Sequence, residues 1–143
     1  LAQVSNICAI KEASGDLSQV DEILNNKPDG FQVFSGDDAL TLAMISSGAD
    51  GVISVIGNAL PKIFGNMTQQ ALFGQVTEAR TTHLDLVEII NTIFEEGNPV
   101  GVKAVMQHLG LCEDAVRLPL IPASKVHKDK LYKLLAKLDV ELT

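Results

Sequence analysis

A lysine stands in the stretch AIKEASGD, residues 9–16, where the apolar run Ile7 to Ile10 ends and a turn of small and acidic residues begins. An amine carried to the end of a buried strand is a candidate nucleophile, because a lysine that loses hydration favours the neutral form that attacks carbonyl carbon. Period-two alternation sets Ile7, Ala9 and Lys11 on one face of such a strand, with Cys8 and Ile10 on the other. If Cys8 and Ile10 pack under helices, Lys11 points inward beside a small residue and loses hydration there. The pattern leaves a second reading open, in which Lys11 ends the strand at the surface and pairs with Glu12 or Asp16.

Two further stretches could converge on that amine. SGDD at 35–38 and VIGN at 55–58 each place a glycine where a strand pattern gives way to a helical one. Glycine lets backbone approach a small ligand closely, and free N–H groups at a helix start can hold a carboxylate. Asp37 or Asp38 can equally serve as a plain cap of the helix that follows. His83, His108 and His127 are scattered without metal-ligand spacing, which predicts solvated helix or loop residues. Lys125, Lys128, Lys130, Lys133 and Lys137 read as the polar face of the last helix, and Thr41, Thr81 and Thr82 have no base partner in the sequence. Cys8 and Cys112 form no C-x-x-C pair and are expected to be reduced packing or surface residues.

The elements that must position these groups alternate through the first two thirds of the chain. Asn6 to Lys11 reads as a strand, and Asp16 offers an N-cap to a helix whose apolar positions are Leu17, Val20, Ile23 and Leu24. After KPDG come a second strand, FQVFSG, and a helix from about Asp37 to Ser47 closed by Gly48. A third strand, GVISV at 51–55, precedes a helix running to Gly74. From Gln75 the pattern is helical to Glu96, with Val76, Ala79, Val87, Ile90 and Phe94 near one stripe. Asn98 is expected to cap a helix with Pro99 at its first position, ending at Leu109 and Gly110. RLPLIPAS, 117–124, is an extended connector, and Leu131, Leu134, Leu135, Leu138 and Leu142 mark a final amphipathic helix.

Three strands separated by single helices require parallel crossovers, which makes the class α/β: three βα units over 1–74, then a helical region over 75–143. In such architectures ligands bind outside the carboxyl ends of the strands. Lys11 and Glu12, Ser35 to Asp38, and Val55 to Asn58 are therefore expected on one face. A three-stranded parallel sheet leaves both edges unpaired, whereas a complete (β/α)8 barrel takes eight units and about 250 residues.

Composition narrows the classes. With 143 residues, 46% of them hydrophobic, and a mean hydropathy of +0.21, the chain is not a disordered one. A net charge of −7 and a pI near 4.8 argue against nucleic acid and anionic membrane as partners. No apolar run approaches the roughly 18 residues that cross a bilayer, and no basic start precedes an apolar segment, so a soluble cytoplasmic protein is expected. The chain opens on Leu1, not Met, and enters strand material almost at once, so either a chain processed to this start or a fragment is expected.

AIKEASGDL, FSGDD with its serine 24 positions after the lysine, GADGVISVIGN, EEGNPVGVK and CEDAVRLPLIPAS follow in order along nearly the whole chain. Together they resemble the second half of the dihydrodipicolinate synthase family, within the pyruvate-dependent class I aldolases. The resemblance implies the C-terminal part of a TIM (β/α)8 barrel, its last three βα units, followed by a helical extension. It implies that Lys11 is the Schiff-base lysine that condenses with the ketone of pyruvate. By the same resemblance Gly36 matches the glycine at the mouth of the site, and Ile53 the eighth-strand residue whose backbone carbonyl lies near the active centre. The imine would become an enamine that attacks aspartate semialdehyde, and cyclisation and release would give the first cyclic intermediate of lysine and diaminopimelate synthesis. No metal or organic cofactor is implied, and the family is usually tetrameric.

The same resemblance marks what has no counterpart here: the proton-relay tyrosine, the threonine pair and loop for the pyruvate carboxylate, the arginine for the semialdehyde carboxylate, and the lysine feedback site. All belong to the family's first five units. The single tyrosine is Tyr132 in the last helix, and Arg80 and Arg117 lie in the helical region. The chain alone is therefore expected to lack a complete site and to need an N-terminal half. N-acetylneuraminate lyase and the 2-keto-3-deoxy sugar acid aldolases share the lysine, but KEASGDL with SGDD favours the synthase. A rival of another class is a non-catalytic half-barrel that acts only by association.

Overall fold

The computed structural model of the chain describes residues 1–138. Its elements are β1 (Ala9–Glu12), α1 (Leu17–Asn26), β2 (Gln32–Ser35), α2 (Thr41–Ser47) and β3 (Gly51–Val52), then a 3-10 turn (Ile56–Asn58), α3 (Pro61–Leu72), α4 (Val76–Ile93), α5 (Val100–His108) and α6 (Lys125–Leu135). Leu142, expected on the last helix, lies outside the described residues.

The sheet is parallel in the order β1-β2-β3, so each crossover adds the next strand on the same side. Lys11 pairs with Phe34, and Phe34 with Gly51, while Glu12 pairs with Ser35 and Ser35 with Val52. Val33, Ser35 and Glu12 are buried, whereas Lys11 and Gln32 are exposed. Helices cover one face of the sheet, and among the described residues nothing covers the other.

Local signals explain most boundaries. Asp16 caps α1, its Oδ1 accepting from Ser18 N at 2.9 Å, and Gly48 closes α2 in the left-handed region. Of the apolar positions expected on α1 only Val20 is fully buried, against Met44 and Ala49. The large core runs from Ile45, Ile56 and Leu60 through Phe64 and Met67 to Leu86, Ile89, Ile90 and Ile93, and on to Val105 and Leu131. The helical region thus shares one core with the βα units.

Several expectations need correction. β3 ends at Val52 instead of continuing to residue 55, because its partner β2 ends at Ser35, opposite Val52; beyond it the Val55 and Ile56 amides turn to the Asp38 carboxylate. Asn98 does not cap α5: Pro99 occupies that position and no side chain caps the helix. On α4, Val76 and Phe94 are exposed, and Leu86, Ile89 and Ile93 carry the buried stripe with Ala79 and Ile90. His127 is buried, not solvated, because it lies four, seven and eight residues before Leu131, Leu134 and Leu135 on the same helical face. Its Nδ1 is 3.8 Å from the Glu95 carboxylate. His83 is half-buried, and burial lowers its affinity for a proton. His108 is exposed but stacks on Tyr132, with ring centroids 4.0 Å apart. The lysine run on α6 is partly paired: Lys128 with Asp114 and Lys130 with Glu95.

Gly101 sits where α5 meets the end of α4, and a Cβ there would lie 2.0 Å from the Ile93 carbonyl oxygen. Backbone cannot yield as a side chain can, so Gly101→Ala should cost at least about 3 kcal/mol, read as a lowered urea midpoint.

The Lys128 ammonium holds the Asp114 carboxyl below its ordinary value of 3.8, and Asp114 in turn holds Lys128 above 10.5. A depressed carboxyl adds stability that is lost as pH falls below its unfolded value, and a raised lysine adds stability that is lost as pH rises through its folded value. Asp114→Asn should therefore lower the melting temperature between those limits, with the difference from the unsubstituted chain vanishing at acid pH in a melting series.

Candidate active site

The end of β1 separates two charged residues by face. Glu12 turns into the helix-covered side, where its Oε1 accepts from Ser14 N at 2.8 Å and Gln19 Nε2 at 2.9 Å. That carboxylate ties the loop after β1 to α1. Lys11, one residue earlier, projects from the uncovered face, as alternation requires. It is exposed and forms neither of the ion pairs, to Glu12 or Asp16, that the sequence left open. Nor is it stripped of water: the expected loss of hydration requires an element over this face, and the described residues supply none. Cys8 is exposed as well, and Ile10 is half-buried.

The end of β2 brings glycine against that lysine. Gly36 N donates to Glu12 O at 2.6 Å, and a Cβ on Gly36 would lie 2.8 Å from Lys11 Cε and 2.6 Å from Ala13 Cβ. The lysine stem runs across a space that only glycine leaves open. Ser35 is buried, its Oγ donating to Asp37 O at 2.7 Å. Asp37 Oδ1 accepts from Ala39 N at 2.9 Å and Leu40 N at 3.2 Å, closing the turn into α2, whose own cap position is Leu40. Neither of the two aspartates offered as caps is the N-cap of α2: Asp37 closes the turn before it, and Asp38 reaches elsewhere.

Ile53 follows β3. Its N–H donates to Ser35 O at 2.8 Å, its side chain is half exposed, and its carbonyl accepts no backbone hydrogen bond among the described residues. Alternation from Gly51 puts Ile53 on the Lys11 face. Beyond it, Ser54 Oγ accepts from Gly57 N at 2.8 Å. The three strand ends thus present Lys11, Gly36 and Ile53 to one side. A shallow depression beside Gly36 is also lined by Asn91 of α4 and by Phe94 just past its end, which no motif singled out. The interior roles of Glu12 and Asp38 were missed too; two carboxylates in strand-end loops were the only signal.

Among the described residues no three His, Cys, Asp or Glu side chains gather as a metal site, and both cysteines are free and exposed. No described helix is long and apolar enough to cross a membrane. What the arrangement offers chemically is a primary amine at the carboxyl end of a parallel sheet, with backbone close beside it.

Comparison with known proteins gives the same direction. Residues 1–138 match the Dihydrodipicolinate synthetase family. The 4-hydroxy-tetrahydrodipicolinate synthase of Phocaeicola vulgatus is 47% identical over 136 residues, which are 95% of this chain and 46% of that protein. The crystal structure of dihydrodipicolinate synthase from Aquifex aeolicus superposes with a TM-score of 0.92 at 37% identity, covering 99% of this chain and 48% of that one. The Thermotoga maritima dihydrodipicolinate synthase does so with a TM-score of 0.92 at 34% identity, covering 95% and 47%. The chain spans about half the length of the curated relatives it matches.

Because Glu12 is 6% exposed and accepts from two donors, Glu12→Ala should remove the bonds that the Ser14 amide and the Gln19 side chain make to it, leaving both donors to water. The expected loss is about 2 kcal/mol in chemical denaturation, with Glu12→Gln, which keeps an acceptor oxygen, losing less.

Proposed function

This chain belongs to the dihydrodipicolinate synthetase family, and we propose that it is the half that carries the Schiff-base lysine of a synthase condensing pyruvate with aspartate semialdehyde. In this reading it is the C-terminal half: the last three βα units of a TIM barrel and the helical extension after them. The names of its relatives support the synthase over a sialic acid or sugar acid aldolase.

The observation that carries the reading is the placement of Lys11, at the carboxyl end of a parallel strand with its stem laid across Gly36. The chemistry runs as follows. The neutral amine adds to the ketone carbon of pyruvate, and loss of water leaves an iminium. Loss of a proton from the methyl carbon gives an enamine, whose carbon bonds to the aldehyde carbon of the semialdehyde while the aldehyde oxygen takes up a proton. The amino group of the new chain then attacks the imine carbon, closes the ring and expels Lys11 as the free amine. The iminium is itself the electron sink, so the reading calls for no metal or organic cofactor.

Gly36 keeps the mouth of the site open beside the amine, and the Ile53 carbonyl is a free acceptor at the next strand end. General acid and base groups and the carboxylate-binding groups come, in this reading, from a portion carrying the first five units. That portion would also cover the Lys11 face, remove its hydration and so favour the neutral amine. The complete enzyme would be a homo-oligomer.

The test is intact mass spectrometry after incubation with pyruvate and borohydride. The assembly that contains this chain should gain an adduct on the peptide bearing Lys11, and the chain alone should gain none. Lys11→Ala should abolish trapping, and retained trapping in that variant would sink the assignment. Gly36→Ala should slow trapping on the order of tenfold, since its methyl group would displace the lysine stem.

A further inference from the structure

We propose that Asp38 is a positioning residue that fixes the backbone around Ile53 relative to Lys11, an inference that rests on the Schiff-base reading above. Asp38 is 2% exposed. Its Oδ2 accepts from Val55 N at 3.0 Å and Ile56 N at 2.8 Å, and its Oδ1 from Val55 N at 3.2 Å. Closing the turn into α2 does not require taking a carboxylate out of water, as neighbouring Asp37 shows by serving amides two and three residues on. Asp38 reaches instead to amides 17 and 18 residues away, just beyond the end of β3.

The consequence falls on Ile53. Its N–H is held from behind by Ser35 O at 2.8 Å, and the chain two and three residues ahead is held by Asp38. With both sides pinned, the peptide between them has little freedom, and its carbonyl is left free among the described residues. Asp38 also lies two residues past Gly36, whose amide is fixed to Glu12 O. One side chain thereby couples the loop that opens space for Lys11 to the loop that carries the free carbonyl. It touches neither Lys11 nor the Ile53 carbonyl, so its effect on chemistry would be indirect.

The experiment has two arms. In this chain, hydrogen exchange in Asp38→Ala should accelerate at Val55 and Ile56 while the Ala104 and Leu131 amides of the core keep their protection. In the assembly that contains the chain, the same variant should raise the KM for pyruvate and lower kcat/KM by on the order of tenfold or more. Asp38→Asn, which keeps one acceptor, should recover part of both. A role confined to folding would reduce the amount of active enzyme and leave KM where it was.

Unchanged exchange at Val55 and Ile56 would overturn the geometric premise. Lost protection with an unaltered pyruvate KM would overturn the positioning role. Failure of the unsubstituted assembly to be trapped by pyruvate and borohydride would overturn the Schiff-base reading and this role with it. That last result is told apart from failure of the Asp38 role alone, in which trapping persists.

Discussion

The structure depends on one constraint: a parallel sheet whose helices all lie on one face. Alternation then divides each strand, with Val33, Ser35 and Glu12 turned under the helices and Lys11 and Gln32 turned away. A slip of β1 by one residue would place the Lys11 ammonium against the helices and turn Ile10 and Glu12 away from them, losing both hydration and burial. The direction of the lysine is therefore set by the packing of its neighbours, and needs no partner of its own to hold it.

Carboxylates do much of the remaining work at the strand ends. Parallel strands finish in loops whose amides have left the ladder, and a buried amide left unpaired costs about 1–3 kcal/mol. Glu12 takes up Ser14 and Gln19, and Asp38 takes up Val55 and Ile56. Asp50 acts one strand back, accepting from Val33 N at 2.8 Å while Lys27 stands 3.6 Å away. Part of the acidity of this chain is thus internal stitching, which a count of net charge registers only as surface.

What could be read from the sequence was whatever depends on neighbours in the chain. The alternation at Ala9 to Glu12, the Asp16 cap and the Gly48 stop are local, and they predict the elements observed. The errors have several causes. His127 looks polar in isolation, but its helical spacing to Leu131 and Leu135 decides its burial. β3 stops opposite the end of β2, and the Val55 amide turns to Asp38, a partner 17 residues earlier that no periodicity reveals. Phe94 completes an apolar stripe on paper but stands past the end of α4, where the chain has turned. The water around Lys11 is not legible in the strand pattern, since hydration is a property of whatever covers a face and not of the strand that owns it.

Direction and environment of the amine are therefore separable. Its direction comes from a sheet anchored in a core that this chain builds for itself, from Val20 and Met44 under the strands through Phe64 and Ile90 to Leu131. Its environment does not, because the Lys11 face is open among the described residues. A nucleophilic lysine needs both, and the two respond to different changes. Damage to the core, as at the α4–α5 contact of Gly101, would disturb where the amine points, whereas covering the open face would change its hydration and leave the strand register intact. Under the proposed function this chain would hold the geometric part of the chemistry, and the dielectric part would come from a portion covering β1, β2 and β3.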